Sequence, residues 1–231
     1  MSAIRIIVSD LGKVLLQFEV QRVWEALNPH FGVTHQEARK IVQELMRESR
    51  FGCGGVDSPT FYSHMVERTG LRLPYEAFCV AWSDMFWEDE AVIGLIHQAP
   101  VDKRYVLSNT NDIHWQFLKE RYPHVLQPFD RLVASHELGL EKPDPAIFHW
   151  VLRDTGRPPA EHLFIDDIAE NVESARAVGM DGIVHTDSHS LWQEFLRRGL
   201  ATAEQEPRHT EVVVATPPES AFWPTEAKDE G

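Results

Sequence analysis

Asp10 and the residues before it restrict the fold more than any other stretch of the chain. The run Ile4-Arg5-Ile6-Ile7-Val8-Ser9 is apolar and β-branched, and it ends on Asp10-Leu11-Gly12. Such a run reads as a buried strand that delivers a carboxylate to a turn. Tyr105-Val106-Leu107 ends on Ser108-Asn109-Thr110-Asn111, and His162-Leu163-Phe164-Ile165 ends on Asp166-Asp167. Gly139-Leu140-Glu141-Lys142-Pro143-Asp144-Pro145 lies between these two. In an open parallel sheet, ligands bind outside the carboxyl ends of the strands. The pattern therefore gathers carboxylates, a hydroxyl and a lysine at one sheet edge, as metal-assisted phosphoryl transfer requires.

The opening strand covers roughly residues 3–9, and from about residue 88 strands and helices alternate. Strands are expected near 104–108, 131–134, 162–166 and 182–185, with helices near 90–98, 111–121, 144–155, 168–178 and 188–198. This alternation implies an α/β fold with a Rossmann-like, doubly wound, mostly parallel sheet. Residues 18–87 read differently, as a compact all-helical insert. Val20, Val23, Trp24 and Leu27 share a helical face, and Thr34 with Glu37 forms a capping box. Gly52, Gly54 and Gly55 break the chain before Ser58-Pro59 caps and opens a third helix. Pro74 opens a fourth, and Trp24, Trp82 and Trp87 read as core of the insert. The expected domains are a core of residues 1–17 and 88–200, an insert of 18–87, and an acidic, mostly disordered tail of 201–231. Within that tail, Val212-Val213-Val214 has the pattern of an edge strand, and Phe222-Trp223 that of a docking pair.

Composition narrows the partners. A formal net charge of −14 disfavours a nucleic-acid backbone or an anionic membrane. It leaves room for a small phosphorylated metabolite, because a local Mg²⁺ and one lysine invert the field at a site. The two cysteines, Cys53 and Cys79, form neither a disulfide framework nor a metal cluster, so a cytoplasmic setting is expected. The start of the chain lacks the apolar segment of a secretory signal, and no run approaches the ~18 apolar residues of a membrane span. A monomer or homodimer is expected.

The motifs Asp10-Leu11-Gly12, Ser108-Asn109-Thr110-Asn111, Lys142-Pro143-Asp144-Pro145 and Asp166-Asp167 occur in the order and rough spacing of the haloacid dehalogenase superfamily, which the chain resembles over residues 3–186. The finer match is to its YihX-like, α-D-glucose-1-phosphate phosphatase-like branch, through Asp10-Leu11-Gly12 and Ser108-Asn109-Thr110-Asn111 with His114. The resemblance implies Asp10 as nucleophile and Lys142 as the cation that neutralises phosphate and nucleophile. It also implies Ser108, Asn109 and His114 as substrate contacts. Mg²⁺ would be held by Asp10, the Gly12 carbonyl and Asp167, with Asp166 beside or behind them. Simpler readings stand next to these. Ser108 and Asn109 suit helix capping, the acid pair suits a turn, and His114 suits a helix surface.

Gly12 departs from most phosphatases of that superfamily, which carry a second Asp there as general acid. Loss of such help typically costs about 10²–10⁴-fold. Lys13 stands where the branch usually has Asn, and is expected to snorkel at the loop edge. The insert resembles the superfamily's mobile cap. The expected function is Mg²⁺-dependent hydrolysis of a small phosphomonoester, such as glucose 1-phosphate, through an aspartyl-phosphate. The alternatives are a 2-haloacid dehalogenase, which needs no metal, and a non-catalytic sugar-phosphate sensor.

Overall fold

The computed structural model describes residues 4–207. Strand β1 (Ile6–Ser9) is followed by a short strand, β2 (Leu16–Phe18). The helical segment comes next, as α1 (Val20–Leu27), α2 (His35–Ser49), α3 (Ser58–Thr69) and α4 (Tyr75–Ser83). Strand β3 (Phe86–Glu88) closes it and leads into α5 (Glu90–Gln98). The alternating half then runs β4 (Lys103–Ser108), α6 (Asp112–Arg121), α7 (Pro123–Leu126), β5 (Arg131–Ala134) and α8 (Ser135–Leu138). It ends with α9 (Pro145–Thr155), β6 (His162–Asp166), α10 (Ala169–Ala177), β7 (Asp181–Val184) and α11 (Ser188–Arg198).

The main sheet has the order β5-β4-β1-β6-β7, and all its pairs are parallel. Burial on both faces explains why Ile6, Ile7 and Val8 of β1 are all apolar rather than alternating with polar residues. Ile7 packs with Val106, Leu163 and Ile165 under Val92 and Ile96 of α5, Trp115 of α6 and Phe195 of α11. Ile6 and Val8 face the other way, onto Phe164, Phe148 of α9 and Val172 of α10. This period of two places helices on both sides of the sheet. The central strand β1 lies between β4 and β6, so the chain ends of these three strands meet at the point where the strand order reverses.

Three details differ from the sequence reading of residues 18–87. The ends of the insert are not helical. They pair as an antiparallel ribbon, Leu16 with Glu88 and Phe18 with Phe86, in strands of three residues that are too short to show a period. Trp24 and Trp82 are buried, but Trp87 lies on this ribbon and is 44% exposed. Asp57, rather than Ser58, caps α3 by accepting from Thr60 N, while the Thr34–Glu37 capping box forms as expected. The insert has its own core of Trp24, Phe51, Phe61, Phe78 and Trp82, with Phe51 and Phe61 stacked at 4.1 Å. Helices α7 and α8, of four residues each, were beneath the resolution of a periodicity argument.

Of the expected tail, residues 201–207 are among the described residues. Trp192 Nε1 donates to Thr202 O, and Gln205 closes a capping box with Thr202. The rest of that segment, including Val212-Val213-Val214 and Phe222-Trp223, lies outside the described residues. Among the described residues, no helix is long and apolar enough to cross a membrane.

Candidate active site

The carboxyl ends of β1 and β6 place Asp10 and Asp166 on either side of one ammonium. Lys142 Nζ lies 2.9 Å from Asp10 Oδ1 and 2.7 Å from Asp166 Oδ2, with its side chain almost fully buried. A buried ammonium costs several kcal/mol unless it is paired, and here it is paired twice. Burial opposes its charge, yet Asp10 and Asp166 overcome that and hold Lys142 above the ordinary lysine range. Asp10 Oδ1 also accepts from Leu11 N at 2.7 Å, and its backbone N–H joins β6 through Ile165 O at 2.8 Å.

Asp166 is completely buried and has both oxygens engaged. Oδ2 takes Lys142, while Oδ1 accepts from Ile168 N at 2.9 Å and from Asn171 Nδ2 at 3.0 Å. Asp167 is only partly buried, and offers an oxygen within 4.8 Å of those of Asp10 and Asp166. Burial and the neighbouring acids push Asp10 up to about 7, against the pull of Lys142. Burial and Asp166 push Asp167 up to about 6. Carboxylates this close repel unless a second cation shares the space. The all-oxygen donor set fits a hard divalent ion such as Mg²⁺.

The turn after β4 holds the remaining motif. Ser108 is 5% exposed at the strand end. Asn109 does not present a free amide. Its Nδ2 donates to Lys142 O at 2.8 Å, and its Oδ1 accepts from Lys142 N at 2.9 Å. The side chain therefore clamps the backbone that carries Lys142. Asn111 caps α6 by accepting from His114 N at 3.0 Å.

His114 departs from the substrate-contact expectation. It is 4% exposed, stacks on Trp82 at 6.0 Å, meets Phe86 edge-on and lies 3.1 Å from Ser83 Oγ. These partners belong to the insert and its ribbon. Burial pushes the imidazole down to about 3, and its contacts lie between insert and core.

Gly12 has a steric reason. A Cβ at this position would lie 3.0 Å from Phe18 Cε1, so the ring of β2 occupies the direction a side chain would take. Lys13 does not simply snorkel. It adopts a left-handed conformation with φ +58°, its Nζ donates to Phe18 O at 2.7 Å, and the ammonium lies 4.6 Å from the centre of the Phe18 ring. Lys13 thus ties the Asp10 turn to the ribbon. Partial burial lowers its pKa, with Asp167 and Glu19 opposing.

The sequence reading missed Asn171, which holds Asp166, and the clamp role of Asn109. A polar residue on the buried face of α10 was the available signal for Asn171.

With the acids of β1 and β6 bridged by a lysine at the switch point of a parallel sheet, the architecture is that of a Rossmann-like hydrolase. Residues 4–179 match the haloacid dehalogenase-like hydrolase family, and the chain belongs to it. It is 28% identical over 197 residues to a D-ribitol-5-phosphate phosphatase of Bacteroides thetaiotaomicron, covering 77% of this chain and 90% of that one. It is also similar to the crystal structure of the haloacid dehalogenase family enzyme bt-2542 of the same organism, in complex with magnesium and inorganic phosphate. The TM-score is 0.66 at 25% identity, over 82% of this chain and 100% of the other. L-2-haloacid dehalogenase from Xanthobacter autotrophicus shares the fold at a TM-score of 0.53 and 21% identity, over 86% of this chain and 84% of the other. The YihX-like branch is not singled out by these similarities. Mg²⁺ is the cofactor of this family's phosphatases, and the Asp10, Asp166 and Asp167 cluster fits it.

Proposed function

We propose that the chain hydrolyses a small phosphomonoester, a phosphorylated sugar or sugar alcohol, through a phosphorylated Asp10. The observation that carries this reading is the buried Asp10–Lys142–Asp166 bridge with Asp167 beside it. Asp10 attacks phosphorus in line, so one Asp–O–P bond forms as the ester P–O bond breaks, and water then cleaves the acyl phosphate. Lys142 favours the ionised form of Asp10 against burial and the neighbouring acids, and offsets the charge that develops on the phosphoryl oxygens. The Ser108 hydroxyl donates to a phosphoryl oxygen, with the Asn109 backbone N–H beside it in the turn that leads to α6. The Asn109 side chain keeps Lys142 in place.

Asp10, Asp167 and the Gly12 carbonyl would hold Mg²⁺, with Asp166 behind them. The bound ion would supply charge neutralisation between the carboxylates and the phosphate dianion. The helical insert acts as the cap. The similarity to the ribitol-phosphate enzyme supports a polyol-sized substrate.

α-D-glucose 1-phosphate is the finer candidate, and its support is chemical. With Gly12 in place of an acid, the departing oxygen carries more negative charge in the transition state. An anomeric hydroxyl is more acidic than an ordinary sugar hydroxyl and leaves more readily. The test is a phosphate-release screen with Mg²⁺ over sugar, polyol, nucleotide and organic-acid phosphates. The expected result is turnover of sugar or polyol phosphates, with glucose 1-phosphate faster than glucose 6-phosphate. Halide release from 2-haloacids without metal would favour the dehalogenase reaction, and phosphate binding without turnover would favour a sensor.

A further inference from the structure

We infer that Ser135 is a positioning residue that couples docking of the helical insert to the Ser108–Asn111 turn, with Gly54 as its counterpart on the insert. That this turn grips phosphate rests on the function proposed above, whereas the docking itself is independent of it.

A serine hydroxyl has one proton and two acceptor sites. Ser135 is fully buried, and its Oγ accepts from Thr110 N at 2.9 Å. Two carbonyls lie within reach of its single proton, Gly52 O at 2.6 Å and Thr110 O at 3.1 Å. It can donate to one of them at a time. In the docked arrangement the shorter contact, to the insert, takes the proton. Thr110 O keeps His136, whose Nδ1 lies 3.0 Å away. With the insert withdrawn, the proton turns to Thr110 O. The hydroxyl is then paired in both arrangements, and neither leaves a buried polar group unsatisfied.

The insert reaches Ser135 only because its loop has no side chains in the way. Gly54 has φ +70°, and a Cβ there would lie 2.3 Å from His136 O. No substitution fits while the loop stays in place. Alongside it, Cys53 Sγ donates to Glu141 Oε2 at 2.9 Å, on the residue before Lys142. One short stretch of the insert therefore touches both α8 and the segment that carries the catalytic lysine. A hydroxyl that donates is a better acceptor. Docking exchanges the longer donation, to Thr110 O at 3.1 Å, for the shorter one, to Gly52 O at 2.6 Å, and so strengthens the Thr110 N–H to Ser135 bond and stiffens the turn that carries Ser108 and Asn109.

The test uses the full chain with Ser135→Ala, Gly54→Ala and the double variant, each checked by thermal melting. Hydrogen exchange is followed over residues 50–56 and 108–112, and kcat/KM is measured with Mg²⁺ on the best substrate of the screen. Gly54→Ala blocks docking but leaves Ser135 and Thr110 untouched. The coupling predicts faster exchange in both segments for either single variant, and kcat/KM lower by about tenfold, the effect of one buried hydrogen bond. The double variant should match the worse single within about twofold, since both act on one event. Multiplicative losses, or a Gly54→Ala protein with unchanged exchange over 108–112, would overturn the inference. If Ser135→Ala does not fold, the Gly54→Ala exchange result decides. If the unsubstituted protein releases phosphate from no ester, the proposed function fails and the exchange results alone decide the coupling.

Discussion

The carboxyl edge of the sheet and the seam between sheet and insert both tie polar groups together, but by different means. At the edge, Lys142 sits between two carboxylates with hydrogen bonds filling the remaining positions on Asp166. Removing one partner of such a buried pair costs about 3–5 kcal/mol, because a charge is left without compensation. At the seam, the ties are Ser135 to Gly52 O, Ser58 to Asp112, Cys53 to Glu141 and Ser83 to His114. Each such bond contributes about 1 kcal/mol net. The edge is thus held by buried charge, and the seam by hydrogen bonds that are individually weak.

The sharpest way to break this contrast is at Lys142. Lys142→Met should destabilise the fold by about 3–5 kcal/mol and remove turnover, read by urea denaturation and phosphate release. A loss under about 1 kcal/mol would place the edge in the same class as the seam. Asn109→Ala tests the clamp. Two hydrogen bonds to the Lys142 backbone disappear, and kcat should fall by about 10–100-fold with KM changed less. A change confined to KM would mean that the amide contacts substrate instead.

His114 probes the seam through pH. Burial pushes the folded imidazole down to about 3. An unfolded histidine takes up a proton near pH 6.5. Below that pH the unfolded state binds more protons, so stability falls with pH until the folded group itself titrates. At pH 5 the loss from this one group is about 2 kcal/mol. His114→Phe should lose less stability than the parent between pH 7.5 and 5, measured by denaturation at both values. Parallel losses would show that the ring takes up its proton within the fold. The smallest effect is expected at Gly12, where Gly12→Ala forces Phe18 aside at about 1 kcal/mol. Phe18→Leu in the same chain should recover part of it, and no recovery would remove the steric account of the missing acid.

The regions also differ in how far the sequence reveals them. The edge was legible because parallel strands are continuous apolar runs, so each polar residue at a run's end had one place to go. Asp10, Asp166 and Lys142 could be gathered from pattern and resemblance alone. The seam was not legible. Its partners lie far apart in sequence, as Gly52 and Ser135 do, and backbone carbonyls leave no trace in side-chain identity. The burial of His114 was hidden for the same reason. Its neighbours Trp82 and Phe86 come from another part of the chain, and helical periodicity does not show which element covers a helix. The β2–β3 ribbon escaped because three residues are too few to show alternation.

The proposed function stands or falls on Asp10 as a nucleophile, kept ionised by Lys142 together with a divalent cation. Phosphate release with Mg²⁺, in excess EDTA, and by Asp10→Asn with Mg²⁺ tests it most directly. Turnover is expected only in the first case, with the Asp10→Asn protein still folded, because Asp166 keeps Lys142 paired, and with its kcat reduced by at least about 10³-fold. Undiminished release in EDTA, or an active Asp10→Asn protein whose mass excludes reversion to Asp, would contradict it.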